Sequence, residues 1–158
     1  MKPTASASTI QNGAKGTAGK LYSMGRRGAE EDAHVVTGTF LINSVPTYVL
    51  FDCGATHSFV STLYIPKLNL QVHTNISDNI TLPSGEVVVS RQLYKEVPLL
   101  IHNTILPVDL RDLPIEEFDV ILGMDWLNRH RATIDCHQKK VSMRGPKGLR
   151  VSCRGFVI

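Results

Sequence analysis

The sequence predicts an all-β fold, a small closed barrel that carries one short helix and one protruding hairpin. Its 158 residues lie within the usual range for a single domain. From His34 onward, short runs of strand-forming residues alternate with turn signals, and only one brief stretch looks helical. Many short strands with almost no helix are typical of small β-barrels.

The predicted strands follow one another closely, and turn residues separate most of them. Asn43-Ser44 joins the first pair into a hairpin, and Pro83-Ser84-Gly85 joins a second pair. The segment His57–Leu63 fits a strand or a short helix equally well, and Met124–His130 is the one predicted helix. The strands are predicted at Val35–Ile42, Pro46–Phe51, Ile80–Leu82, Glu86–Val89, Leu99–Ile101, Ile105–Leu110, Phe118–Leu122, Thr133–Asp135 and Lys140–Met143.

Composition divides the chain into three segments. Residues 1–33 are rich in Ala, Ser, Thr, Gly and Lys and show no apolar period, so we expect a flexible linker. Residues 34–145 form the predicted folded domain. Residues 146–158 follow Gly145 and are rich in basic side chains, which predicts a loose basic tail.

The composition also excludes several classes of protein. No apolar run approaches the roughly 20 residues that a membrane-spanning helix needs, so we expect no membrane association. The N-terminal residues lack the apolar core of a secretory signal, which predicts an intracellular, cytoplasmic protein. The three cysteines and six histidines show no metal-ligand spacing, so we expect no metal, no cofactor and no disulfide framework.

Charge is unevenly distributed, although the net charge is only +3. Basic side chains gather near both ends of the chain, and the stretch between His34 and Leu127 is acidic. Basic ends can contact nucleic acid, but this indication is weak because no aromatic side chains are interleaved to stack on bases. A solvated strand edge and a disordered tail are the plainer explanation.

The most informative motif lies at Asp52-Cys53-Gly54-Ala55. An apolar strand delivers Asp52 directly into a turn that contains Gly54. Sheet formation does not require a carboxylate there, because burial of an unpaired charge is costly. Such an aspartate is a candidate catalytic group, although the same pattern also occurs in ordinary turns.

A second block, Ile121-Leu122-Gly123 followed by the predicted helix, makes the pattern more specific. Together, in this order and spacing, the two blocks resemble the retropepsins. The agreement is greatest with the retropepsin-like aspartic protease domain of plant Ty3/gypsy-type retrotransposon Gag-Pol polyproteins. The resemblance covers about Val35 to Val141. It implies the retropepsin type of barrel and an aspartic endopeptidase that cleaves extended segments of a polyprotein.

The resemblance also assigns roles to individual residues. It implies that Asp52 is the catalytic carboxylate and that Cys53, Gly54 and Ala55 complete the active-site loop. It places three groups of residues against the substrate: one after the loop, one at a flap hairpin that closes over bound peptide, and one in the second block. These substrate-binding residues are Thr56, His57, Pro83, Ser84, Gly85 and Ile121.

The chemistry implied by the resemblance requires two carboxylates about 3 Å apart that share one proton. Asp52 lies in the only Asp-x-Gly of the chain, so the partner carboxylate must come from a second copy. We therefore expect a homodimer whose active site lies at the two-fold axis.

Cys53 departs from the resemblance, which implies Ser or Thr at this position. There a hydroxyl would hydrogen-bond across the dimer, whereas a thiol is a weak donor and acceptor. The alternative function is therefore a catalytically weak or inactive domain that dimerises or binds peptides.

Overall fold

The computed structural model describes the backbone of residues 18–20 and 35–157. Most of the predicted linker, residues 1–33, lies outside the described residues. Its residues 18–20 form a strand that pairs in parallel with the strand preceding the Pro83-Ser84-Gly85 turn.

The described residues form fourteen strands and two short α-helices. The strands are β1 (Ala18–Lys20), β2 (Val35–Ile42), β3 (Val45–Asp52), β4 (Phe59–Ser61), β5 (Thr74–Thr81), β6 (Val87–Val97), β7 (Leu99–Ile101), β8 (Thr104–Ile105), β9 (Val108–Leu113), β10 (Val120–Leu122), β11 (Thr133–Asp135), β12 (Lys140–Arg144), β13 (Arg150–Arg154) and β14 (Phe156–Val157). The helices are α1 (Ile65–Leu68) and α2 (Met124–Arg129).

The all-β prediction is confirmed, but the predicted closure into a barrel is wrong. The larger sheet runs in the order β1-β5-β6-β9-β4-β10-β3-β2-β7-β8, with β14 also paired to β2. Closure would require the two end strands to pair with each other. Within the described residues β1 pairs only with β5 and β8 only with β7, so the sheet stays open.

Local chemistry explains two further differences from the predicted elements. A second helix, α1, begins beside Pro66, a residue that suits the first turn of a helix. The predicted strand Ile105–Leu110 is divided into β8 and β9, because Pro107 has no N–H to contribute to the ladder. The segment His57–Leu63, for which two structures were possible, contains the strand β4.

The segment predicted as a loose basic tail, residues 146–158, is largely built into the fold. β13 pairs with β12 and completes a small sheet of β11, β12 and β13, and β14 pairs with β2. Val151 and Cys153 of β13 are buried against the main core. The prediction gave weight to the basic residues and overlooked the alternation of Arg, Val, Ser, Cys and Arg, which has the two-residue period of a half-buried strand.

The short strand β10 positions the rest of the sheet around it. β10 runs parallel to β3 on one side and antiparallel to β4 on the other. Asp119, directly before it, accepts a hydrogen bond from the Tyr48 amide at 2.8 Å and donates its own amide to the Tyr48 carbonyl at 3.1 Å. The strand that carries the Ile-Leu block is thereby held beside the strand that ends at Asp52.

Gly123, which follows β10, lies directly beneath the loop after Asp52. A Cβ added to Gly123 would lie 2.7 Å from the Ala55 carbonyl oxygen and would also clash with the His57 carbonyl. The backbone angles of Gly123 (φ −103°, ψ −164°) are those of extended chain. Glycine is therefore required here for space rather than for conformational freedom.

Two apolar clusters fill the interior. The larger surrounds Trp126 of α2, which is 2 % exposed, packs against Phe51 and donates its indole N–H to the Leu106 carbonyl. The smaller lies between the loop after Asp52 and the β5–β6 hairpin. Its buried members are Leu50, Ala55, Phe59, Ile80, Leu113, Ile115, Phe118 and Ile121. Neither helix in the described part of the chain is long and apolar enough to cross a membrane.

The packing of β13 predicts unequal reactivity of two thiols. Cys53 is exposed, whereas Cys153 is buried and its burial raises the thiol pKa to about 11. At pH 8 a thiol with that pKa is ionised in about one molecule in a thousand, and the thiolate is the reactive form. Labelling of a dilute solution with a thiol reagent, followed by mass spectrometry, should modify Cys53 rapidly and Cys153 only after unfolding. Rapid labelling of Cys153 in the folded protein would show that β13 does not pack as described.

The close approach at Gly123 predicts a large loss of stability from a single methyl group. Gly123→Ala should lower the free energy of unfolding by about 3 kcal/mol, because two backbone carbonyls would have to move. Gly38→Ala is the matched control, since the three atoms nearest to its Cβ all belong to the side-chain ring of Phe40 rather than to the backbone. Urea unfolding of both variants measures the difference, and similar losses in the two would contradict the packing beneath the loop.

Candidate active site

Asp52 is the last residue of β3 and is fully buried. Two hydrogen bonds hold Asp52 in the turn that follows it. Oδ1 of Asp52 accepts one from the Gly54 amide at 2.8 Å, and the Asp52 backbone carbonyl accepts one from the Ala55 amide at 3.1 Å. A carboxylate that accepts a backbone N–H in this way has one oxygen oriented by the chain itself. The apolar strand thus ends in a carboxyl group whose direction is set locally.

The following residues of the predicted active-site loop differ in exposure. Cys53 is exposed, Gly54 is half-buried, and Ala55 is fully buried in the smaller apolar cluster. Thr56 and His57 are half-buried, and the Thr56 hydroxyl lies 3.0 Å from Nδ1 of His57. The loop therefore presents a thiol to solvent and anchors itself through the methyl group of alanine.

Ser58 and Asp125 attach the loop to the start of α2. The Ser58 hydroxyl donates to Oδ1 of Asp125 at 2.6 Å and accepts the Gly123 amide at 3.0 Å, and the Ser58 amide donates to Oδ2 of Asp125 at 3.2 Å. The Met124 amide also donates to the Ala55 carbonyl at 2.8 Å. Backbone groups that would otherwise be buried without partners are satisfied by this network.

Ile121, which the resemblance places against the substrate, is fully buried beside the loop in the single chain. It pairs with Leu50 of β3 on one side and Phe59 of β4 on the other, and it shares the smaller apolar cluster with Ala55. Ile80 is buried in the same cluster, and Leu82 packs against it. The cluster therefore forms an apolar wall between the Asp52 loop and the β5–β6 hairpin.

The β5–β6 hairpin carries Pro83, Ser84 and Gly85 at its exposed tip. The Gly85 amide donates to the Leu82 carbonyl at 2.9 Å, and Gly85 has a φ of +94°, which favours glycine. Below the tip, Thr81 pairs with Val87, so the two strands are joined up to the turn. The base of the hairpin thus contacts the loop cluster, while its three tip residues project into solvent.

A group of charged side chains surrounds His57. Nε of Arg111 lies 2.9 Å from Oδ2 of Asp78, in an ion pair that joins β9 to β5, and the Arg111 amide donates to the Ser58 carbonyl. Burial lowers the pKa of His57, and the nearby Arg111 lowers it further, against the opposing effects of Asp125 and Asp78. His57 is therefore predominantly neutral near pH 7, able to accept or donate one hydrogen bond through its ring.

Sequence reasoning missed four of the residues that hold this site together. Ser58, Asp78, Arg111 and Asp125 were not predicted to contribute, although they connect the loop to α2 and to the hairpin. A partial signal existed for Asp125, because an acidic residue in the first turn of a helix suits the positive end of the helix dipole. The Asp78–Arg111 pair joins residues far apart in sequence, and no local pattern marks it.

Among the described residues, no group of three or more His, Cys, Asp or Glu side chains is arranged to hold a metal ion.

Comparison with known proteins identifies a family and a fold. Residues 15–148 match the family described as retroviral aspartyl protease. The fold is similar to the retroviral protease-like domain of Ddi1 from Leishmania major, with a TM-score of 0.55 and 18 % identity over 74 % of this chain and 89 % of that one. A comparison with curated proteins gave no match.

Two further solved structures are similar at lower TM-scores. The EIAV protease in complex with an inhibitor gives 0.45, with 25 % identity over 59 % of this chain and 85 % of that chain. A retropepsin-like aspartic protease from Rickettsia conorii gives 0.44, with 14 % identity over 75 % and 90 %. Because the family match spans most of the sequence, the chain belongs to the retroviral aspartyl protease family.

Proposed function

We propose that this protein is an aspartic endopeptidase that is active as a homodimer, with Asp52 of each copy as the catalytic carboxylate. The observation that carries the proposal is the position of Asp52: fully buried at the end of an apolar strand, in a turn supported from behind by Gly123 and Ser58. Burial of a carboxylate is costly for folding, so its retention there favours a chemical role.

The second carboxylate comes from the second copy, because the sequence contains a single Asp-x-Gly. Two such groups held close together cannot both be ionised, so the pair shares one proton and titrates as a unit. The ionised member removes a proton from a water molecule, which attacks the peptide carbonyl. The protonated member donates a hydrogen bond to that carbonyl oxygen and stabilises the charge that develops on it.

The β5–β6 hairpin is proposed as the flap that covers an extended peptide. Its base shares the apolar cluster with Ala55 and Ile121, so the hairpin and the loop form two sides of one space. Its tip, Pro83 to Gly85, is exposed and free to meet a ligand. Closure of such a lid excludes water and orders the substrate for attack. Thr56 and His57 lie beside the loop, where they would contact the peptide backbone and adjacent side chains.

The substrate we propose is a polyprotein of a Ty3/gypsy-type retrotransposon of plants, because the Asp52 and Ile121-Leu122-Gly123 blocks agree most closely with proteases of that kind. In such a polyprotein, residues 1–33 would be the linker between the Gag region and the protease. We place the activity in the cytoplasm, where the thiols of Cys53, Cys136 and Cys153 would stay reduced.

Asp52→Asn should lower peptide cleavage by at least about 100-fold, because acid–base groups typically contribute that much or more. Cleavage of a polyprotein fragment is measured at mildly acidic pH, with and without pepstatin. Asp135→Asn is the matched control, since Asp135 is exposed on the small sheet and should leave the rate unchanged. Cleavage that survives Asp52→Asn would exclude Asp52 as the catalytic group.

A second candidate function is supported by one observation, the exposed Cys53 beside the catalytic position. With a thiol where the related enzymes carry a hydroxyl, the two halves of the site would be joined by weaker hydrogen bonds. The protein would then act as a dimerising or peptide-binding domain with little activity.

Replacement of Cys53 distinguishes the homodimeric peptidase from the weakly active binding domain. Cys53→Thr should tighten the dimer by about 30-fold, because two hydrogen bonds of about 1 kcal/mol each would form across the two-fold axis. Sedimentation equilibrium over a range of concentrations measures the dissociation constant. Cys53→Ala is the control and should give no tightening. An inert monomer for all three proteins at high concentration would contradict the homodimeric peptidase.

A further inference from the structure

The small sheet of β11, β12 and β13 has two chemically different faces. Its inner face is apolar, and its side chains pack against the main core; they are Val141, Met143, Val151 and Cys153. Its outer face alternates with these residues and carries basic side chains and hydroxyl groups. We define this cationic face as Lys140, Ser142, Arg144, Arg150, Ser152 and Arg154.

The strand register places the cations of the cationic face directly opposite one another. Lys140 pairs with Arg154 across β12 and β13, and Arg144 pairs with Arg150. Between these two pairs, Ser142 lies opposite Ser152, with 3.2 Å between the two hydroxyl oxygens. The rise of a strand separates the two cationic pairs by about 14 Å, four residues at about 3.4 Å each.

This arrangement works against folding, because like charges directly opposite each other on one face of a sheet repel. Among residues 35–155, no carboxylate oxygen lies within 4.0 Å of any of the four cations; the ion pairs of this region are Arg111–Asp78 and Arg129–Glu96. The nearest acidic neighbour by register is Asp135, opposite Lys140, and its Oδ1 accepts the Gln138 amide instead. A bound polyanion would relieve the repulsion.

We propose that the cationic face binds the phosphate backbone of a nucleic acid, independently of the Asp52 site. Arg, Lys and Ser are the side chains that most often contact phosphate oxygens, and all three occur here in one ordered row. No aromatic side chain belongs to this face, so it offers no aromatic platform for bases, and we expect binding that is independent of sequence. Its six side chains are polar or charged, whereas interfacial membrane binders present an apolar face; the exposed Leu149 lies in the turn before Arg150.

The test uses the full chain and measures how its affinity for nucleic acid depends on salt. The probes are a DNA duplex of about 20 base pairs and a single-stranded RNA of about 20 nucleotides, titrated by fluorescence anisotropy from low salt upward. Lys140→Gln/Arg150→Gln removes one cation from each opposed pair. Neither side chain donates a hydrogen bond within the described residues, so the fold should be retained. The slope of log K against log salt on the duplex should become shallower by about 1.8, since each phosphate contact contributes about 0.9.

The matched control is Arg91→Gln/Lys95→Gln, which removes the same charge from exposed positions four residues apart on β6. The control should leave the slope of log K against log salt unchanged.

Thermal unfolding of the Lys140→Gln/Arg150→Gln variant should occur at or above the wild-type temperature, because repulsion between the opposed cations is removed. The proposal is overturned if the wild type binds neither probe, if both variants lose affinity equally, or if the slope of the first does not change. Binding to vesicles of phosphatidylserine and phosphatidylcholine in place of nucleic acid would assign the face to a membrane instead.

Discussion

The contact between Gly123 and the loop after Asp52 is the constraint on which the rest of the site depends. Gly123 has no side chain, so the carbonyls of Ala55 and His57 can lie directly above it. Its amide donates to the Ser58 hydroxyl, which in turn donates to Asp125 at the start of α2. Strand β10, the loop and the helix are thereby fixed to one another by a few buried polar groups. Because those groups have partners only in this arrangement, any displacement of the loop would leave several of them unsatisfied.

Strand β9 connects this loop to the β5–β6 hairpin. Arg111 donates its amide to the Ser58 carbonyl and pairs through its guanidinium with Asp78 on β5. Its neighbour Asp112 accepts the amides of Arg91 and Gln92 on β6. Each strand of the hairpin is therefore tied at its base to β9, while the three residues of the tip are exposed. In the proposed role as a flap, the exposed tip of this hairpin could move while its base stays attached to β9 and the loop beneath it stays in place.

Local pattern was sufficient to predict the first hairpin, the turn after Asp52, the Ile121-Leu122-Gly123 block and the helix that follows it, because each is specified by neighbouring residues. It failed where the deciding partner lies far along the chain. The open sheet depends on which strands meet at its two ends, and the Asp78–Arg111 pair joins separate strands. The C-terminal segment was mistaken for a tail because its basic residues conceal a regular alternation. That alternation becomes meaningful only when β12 is available as a partner.

Asp52 and Cys53 differ in their surroundings, and this difference bears on how a dimer would assemble. The orientation of Asp52 is set inside one chain, by the Gly54 amide and by the support beneath Ala55, so each half of the proposed site is formed before the second copy arrives. Because each half of the site is already formed, little conformational entropy is lost when two copies associate. Cys53 is different, because it is exposed in the single chain. A change at Cys53 should consequently alter how firmly two copies hold each other while leaving the direction of each Asp52 carboxylate intact. For this reason a thiol can occupy that position without disrupting the fold. In the proposed homodimer, the strength of association, rather than the geometry of the single chain, would determine whether the two carboxylates act together.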